Sequence, residues 1–172
     1  MESSSPSPIS NIIVRIMLFV VTLVALIIMV TAKQSENILI APSTVVKKTA
    51  KFSLTPANKY FVAAMAIGCL YSLLSAMACI AHPKSMKVML HLITCDAVML
   101  GMVAAAVGTA GGVGYVGWKG NDAAMWTKVC HIYDTYCKHI AASLAFSFFA
   151  AVLLLLLTFI SSRSLYLCAN RI

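Results

Sequence analysis

Two charges stand where charge is expensive. Arg15 interrupts "NIIVRIMLFVVTLVALIIMVTA" and Asp96 interrupts "MLHLITCDAVMLGMVAAAV", and each run otherwise has the composition of a membrane-spanning helix. An ionised side chain at the bilayer centre costs about 2.5–3.5 kcal/mol on insertion scales, so it marks a partner, a water-filled cavity or a function. Nothing within its own run pairs with Asp96, and His91 reads as an interfacial residue. With four crossings, spans one and three run the same way. Arg15 lies three residues into its span and Asp96 eight into its own, so both fall in the same half of the bilayer, about 7 Å apart in depth. A bidentate Arg–carboxylate contact satisfies both groups at once, and pairing is the economical reading. The alternative has Arg15 snorkelling to the headgroups while Asp96 is protonated or held by a hydroxyl such as that of Thr94. An ion or proton pathway is a third reading, weakened because one acid without a second polar rung makes a poor relay.

A second group of residues lies outside the spans. Cys130 and Cys137 flank "HIYDTY", a spacing that closes a local disulfide if the loop faces an oxidising side. His131 and His139 adjoin the pair, leaving metal as the minor alternative, but no other cysteine or histidine cluster completes a zinc site. Cys69, Cys79 and Cys95 read as small apolar side chains, and juxtamembrane Cys168 as a candidate for S-acylation.

The elements that must position these residues follow from composition. Of 172 residues 61% are apolar and only 10% charged, far below the quarter expected of a soluble domain. Four runs reach the roughly 20 residues a crossing needs: 12–31, 60–81, 88–110 and 140–162. They imply an all-α integral membrane four-helix bundle with one short turn and two longer loops. The Ser/Pro-rich tail 1–11 reads as disordered, and 163–172 as a second short tail. The N-terminus lacks a basic n-region, so the first run reads as a retained signal anchor. Pro83 sits in the short turn that makes spans two and three an antiparallel hairpin. Six glycines follow Val107, and the third span is expected to dissolve before Trp118. "ILIAPSTVV" in the first loop reads as a strand or an interfacial segment, and "AAMWTKVCHIYDTYCKHIAAS" as a short amphipathic helix leading into span four.

Small residues recur every four positions in three spans: Ala64, Gly68, Ser72 and Ala76; Ala97, Gly101 and Ala105; Ser143, Ser147 and Ala151. Such stripes read as faces of close helix approach. The net charge of +8 comes from residues flanking the spans, where lipid phosphates are the nearest anions, so nucleic acid is not an expected partner. Orientation is contested. With both termini cytosolic, eight lysines fall outside against Arg15, Lys84, Lys87, Arg163 and Arg171 inside, which opposes the positive-inside rule. A disulfide in the second loop argues the other way.

"RIMLFVVTLVALIIMVTAKQ", "FSLTPANKYFVAAMAIGCLYSLLSA", Asp96 in the third span and the W-x3-C-x6-C loop from Trp126 to Cys137 occur together in order. In this combination the chain resembles the plant Casparian strip membrane domain protein-like (CASP-like) family from Arg15 to Ser162. The resemblance implies a MARVEL-like bundle with both termini cytosolic and both long loops outside, which sides with the disulfide. It carries the family's intramembrane arginine, aspartate and second-loop cysteines onto Arg15, Asp96, Cys130 and Cys137. It also implies a plasma-membrane scaffold that forms homo-oligomers, or hetero-oligomers with related members. In the Casparian strip proteins proper that platform guides local lignification through recruited secreted cell-wall enzymes. The first loop here lacks their aromatic-rich segment, so the resemblance is to a CASP-like relative.

As an enzyme the sequence is poor: no loop offers a nucleophile with a base, a carboxylate pair or a phosphate-cradling glycine motif, and no cofactor is expected. The competing reading is a small channel or transporter subunit built on the Arg15/Asp96 site. It requires polar residues from several spans, whereas the sequence confines the evident ones to those two. The four-span tetraspanin and claudin signatures are both missing.

Overall fold

The computed structural model describes residues 8–41, 44–82, 85–121, 123 and 125–169. Four helices are long and apolar enough to cross a membrane: α1 (Pro8–Thr31), α2 (Pro56–Ala81), α3 (Met86–Lys119) and α4 (Asp134–Ala169). Between α1 and α2 lies an antiparallel hairpin of β1 (Lys33–Ala41) and β2 (Thr44–Lys51), with Lys33 opposite Lys51 and Ser35 opposite Thr49. The first-loop segment is therefore strand over its described residues, 38–41 and 44–46. The N-terminal tail to residue 7 and the turn at Pro83 and Lys84 fall outside the described residues.

Local chemistry sets the helix ends. Pro56 opens α2, where its missing N–H costs nothing, and the amides of Asn58 and Lys59 turn back to the Thr55 carbonyl. Gly120 closes α3 with φ of 74°, its N–H bonded to the Val116 carbonyl. A Cβ there would lie 3.0 Å from the Trp126 carbonyl oxygen, so only glycine makes this corner without strain.

The expectation that α3 ends soon after Val107 is wrong. The helix runs unbroken past Trp118 to Lys119. Each glycine costs a helix about 1 kcal/mol against alanine in water, but a backbone leaving the helix near hydrocarbon would strand amides and carbonyls without water. Two of these glycines also admit neighbours: a Cβ on Gly114 would lie 3.8 Å from the Ile140 methyl, and one on Gly117 3.8 Å from the Cys130 sulfur. Nor, among the described residues, is there a separate amphipathic helix before span four. A 3-10 turn at Val129–His131 precedes α4, which continues from Asp134 straight through the span.

The helices pack in a ring, α1 against α2 and α4, and α3 against α2 and α4. Neighbours are antiparallel: early Asn11 meets late Ser161, and late Ala25 meets early Ser143. In lipid, apolar burial gives little drive to association, so close approach and polar contacts carry it. Ala64, Gly68 and Ser72 are buried between helices, and a Cβ on Gly68 would lie 3.5 Å from the Thr22 methyl. Ser143 and Ser147 are also buried. The third stripe behaves differently. The buried line of α3 is Leu92, Asp96, Met99, Val103, Ala106 and Ala110, while Ala97, Gly101 and Ala105 are exposed. At about 100° per residue, turning Asp96 inward carries these three to the outer face, so they do not pack inside the bundle.

Candidate functional site

The buried charges meet at the centre of the ring. Arg15 and Asp96 are both fully buried. Nη1 donates to Asp96 Oδ1 at 3.1 Å and Nη2 to Oδ2 at 2.8 Å, the parallel fork that makes such pairs strong. The remaining guanidinium nitrogen, Nε, donates to Asn11 Oδ1 at 2.9 Å, one helical turn earlier on α1. Asn11 Nδ2 in turn donates to Ser161 Oγ on α4 at 3.3 Å. From α2, the Tyr71 hydroxyl donates to Asp96 Oδ1 at 2.5 Å.

One network thus draws a side chain from every span. Because α1 and α3 stand diagonally in the ring, the pair does not lie between adjacent helices. It reaches across the middle, where the long arginine stem spans the gap. Tyr71, Asn11 and Ser161 escape the sequence reading, which confines the polar groups to Arg15 and Asp96. Asn11 could have been found from its i, i+4 spacing to Arg15, and Tyr71 as the lone hydroxylated ring midway along "FVAAMAIGCLYSLLSA". Thr94, the alternative partner for Asp96, instead donates to the Leu90 carbonyl of its own helix at 3.1 Å, and His91 is exposed.

Other buried hydroxyls are absorbed locally. Thr22 donates to the Leu18 carbonyl, Ser72 to that of Cys69 and Ser147 to that of Ser143. Ser143 crosses to the Ala25 carbonyl at 2.8 Å, tying α4 to α1. Among the described residues no buried side-chain nitrogen or oxygen lacks a hydrogen bond. Each nitrogen of Arg15 and each oxygen of Asp96 thus has a partner, the arrangement a buried polar network needs if it is to hold helices together.

A second constellation caps the hairpin end. Cys130 and Cys137 are joined in a disulfide, with Cα atoms 5.6 Å apart. The loop it closes presents two buried tyrosines. The Tyr133 hydroxyl donates to the Lys48 carbonyl of β2 at 3.1 Å. The Tyr136 amide donates to Gln34 Oε1 of β1 at 2.9 Å, and its hydroxyl accepts from Asn58 Nδ2 of α2 at 3.2 Å. The disulfide therefore fixes a plug that holds both strands and the start of α2. With both sulfurs bonded to each other, neither is a thiolate ligand beside His131 or His139. Cys168 falls on the last turn of α4, and its side chain lies outside the described residues.

A Casparian strip membrane protein domain matches residues 4–153. The chain is 43% identical over 162 residues to CASP-like protein 1D1 of Arabidopsis lyrata subsp. lyrata, covering 92% of this chain and 84% of that protein. It is 42% identical to CASP-like protein 1D1 of Arabidopsis thaliana, over 91% of this chain and 83% of that one. CASP-like protein Ni6 of Beta vulgaris subsp. maritima is 40% identical, over 91% and 82%. No solved structure matches the chain. With the domain matched over most of its length and relatives of about 40% identity covering nine-tenths of it, the chain belongs to the Casparian strip membrane protein domain family, among its CASP-like members.

Proposed function

We propose that this protein is a plasma-membrane scaffold, with both termini cytosolic and no catalysis of its own, that oligomerises into membrane subdomains and organises secreted enzymes for local cell-wall modification. Family membership supports the reading. The orientation rests on the disulfide, whose formation needs an oxidising compartment; the hairpin, on the same end, then faces outside with it.

One observation carries the assembly step. Ala97, Gly101 and Ala105 form an exposed small-residue groove on α3, and a Cβ built on Gly101 meets nothing within 4 Å. The other two stripes are spent on internal packing. An outward small-xxx-small face lets a second helix approach closely, which is how helices associate in lipid.

The test is Gly101→Leu. The added side chain disturbs no internal contact, so the monomer keeps its fold and melting temperature while crosslinked dimers and larger species are lost and the fluorescent fusion becomes laterally mobile. Unchanged crosslinking and mobility with a Leu at this position would remove the stripe as the assembly face.

A further inference from the structure

A cleft of about 760 Å³ opens where the last turns of α3 meet the start of α4, within the roughly 300–1,000 Å³ of ordinary ligand sites. Its chemistry is graded from one end to the other. At the outer rim stand Lys119, Lys128 and Lys138, all exposed, with Asp134 as the acid among the lining residues. Lys138 and Asp134 are 2.6 Å apart, but both side chains are about two-thirds or more exposed, where such a pair is worth only about 0–1 kcal/mol. Lys119 Nζ lies 5.5 Å from the centre of the exposed Trp118 ring. Deeper in, the lining turns apolar: Gly111 and Gly114 on α3, and Ala141 and Leu144 on α4. A Cβ on Gly111 meets nothing within 4 Å, so the cleft stays open beside it, whereas Gly114 forms a wall with Ile140 and Leu144.

The gradient matches the depth of the cleft. Helix α3 has 34 residues, about 51 Å at 1.5 Å per residue against about 30 Å of hydrocarbon. Its last turns therefore stand at headgroup level, where an exposed Trp118 and Tyr115 are at home. Gly111 lies near the hydrocarbon boundary and the lysines beyond it.

We propose that this cleft holds one anionic phospholipid of the leaflet on the hairpin side, its phosphate among Lys119, Lys128 and Lys138 and the start of an acyl chain along Gly111 and Gly114. A soluble anion has no use for the glycine strip, and a neutral lipid has none for three ammonium groups. The site is separate from the outward face at Gly101 and does not depend on assembly.

The experiment is native mass spectrometry of the intact, disulfide-bonded protein released from nanodiscs of equal phosphatidylglycerol and phosphatidylcholine. The expected result is a single retained phosphatidylglycerol in clear excess over phosphatidylcholine. Lys128→Gln and Lys138→Gln, both on exposed side chains, should each lower that retention about fivefold, the effect of one basic residue near an anionic headgroup. Gly111→Leu should abolish it by filling the strip, with the melting temperature unchanged. Equal retention of the two lipids overturns the proposal, as does full retention in Gly111→Leu. Displacement by millimolar inorganic phosphate, with no dependence on the acyl chain, would overturn the lipid assignment and leave a free-phosphate site.

Discussion

Asp96→Asn is the most informative single change, because it removes one charge and leaves its partner sealed in. Arg15 is fully buried, and the structure gives it two contacts to the carboxylate, at 3.1 and 2.8 Å. An asparagine offers one oxygen and one NH2 group to that fork, so an N–H faces an N–H on one side. Tyr71 keeps an acceptor only if the amide oxygen turns toward it. Breaking a buried pair from one side costs about 3–5 kcal/mol, a large part of the roughly 5–15 kcal/mol that holds a domain folded. Adding Arg15→Gln removes the stranded charge and lets two neutral amides bond to each other. The double variant should recover about 0.5–3 kcal/mol, the coupling range of residues in direct contact. Thermal unfolding of the wild type, both single variants and the double variant in bicelles closes the cycle, and surface delivery in cells should follow the same order. Strictly additive losses would refute a clamp. An Asp96→Asn protein that folds and assembles normally yet loses a measurable ion or solute flux would instead support the channel or transporter reading.

Tyr71→Phe keeps the ring and deletes one charge-assisted donor to Asp96; it should cost about 1.5–3 kcal/mol in the same unfolding assay, and no loss would show that the hydroxyl is dispensable to the network. Cys137→Ser opens a loop of eight residues and should cost about 2.5 kcal/mol on the chain-entropy estimate. It should also speed limited proteolysis of the hairpin, since the strands are held by Tyr133 and Tyr136, and unchanged cleavage there would separate the disulfide from hairpin docking.

What the sequence makes legible tracks the size of the physical penalty. Charge in hydrocarbon is so costly that Arg15 and Asp96 announce themselves, and four apolar runs admit few architectures. The spacing of Cys130 and Cys137 permits a disulfide, but the pairing also needs the loop to face an oxidising side, which spacing does not give. Glycine propensity misleads from Gly108 onward, because a scale set in water does not apply next to hydrocarbon, and farther along Gly114 and Gly117 pack against Ile140 and Cys130. The partners of the central pair are harder. Tyr71 contributes one hydroxyl on an otherwise apolar ring, and only the diagonal placement of α1 and α3 makes room for it between them. The outward turn of Ala97, Gly101 and Ala105 is in fact readable once Asp96 is taken as the inward reference, whereas the period of four alone fixes no direction. The hairpin docks through polar groups and not through an apolar face: the Tyr133 hydroxyl reaches the Lys48 carbonyl, and the Tyr136 amide donates to the Gln34 side chain.

The diagonal clamp also has a dimension in time. Arg15 and Asp96 are 81 positions apart in the chain, and at about 5–20 residues per second the arginine waits roughly 4–16 s after synthesis before its carboxylate exists. Through that interval the first span carries a cation for which the second span supplies no anion, only the Tyr71 hydroxyl, and Asn11 satisfies just one edge of it. The bundle cannot settle span by span as the chain emerges. The third helix must enter before the first is at rest, so a chain truncated after α2 keeps an uncompensated cation in its membrane segment. The charge on the first helix is therefore neutralised by its carboxylate only when three of the four helices are in place.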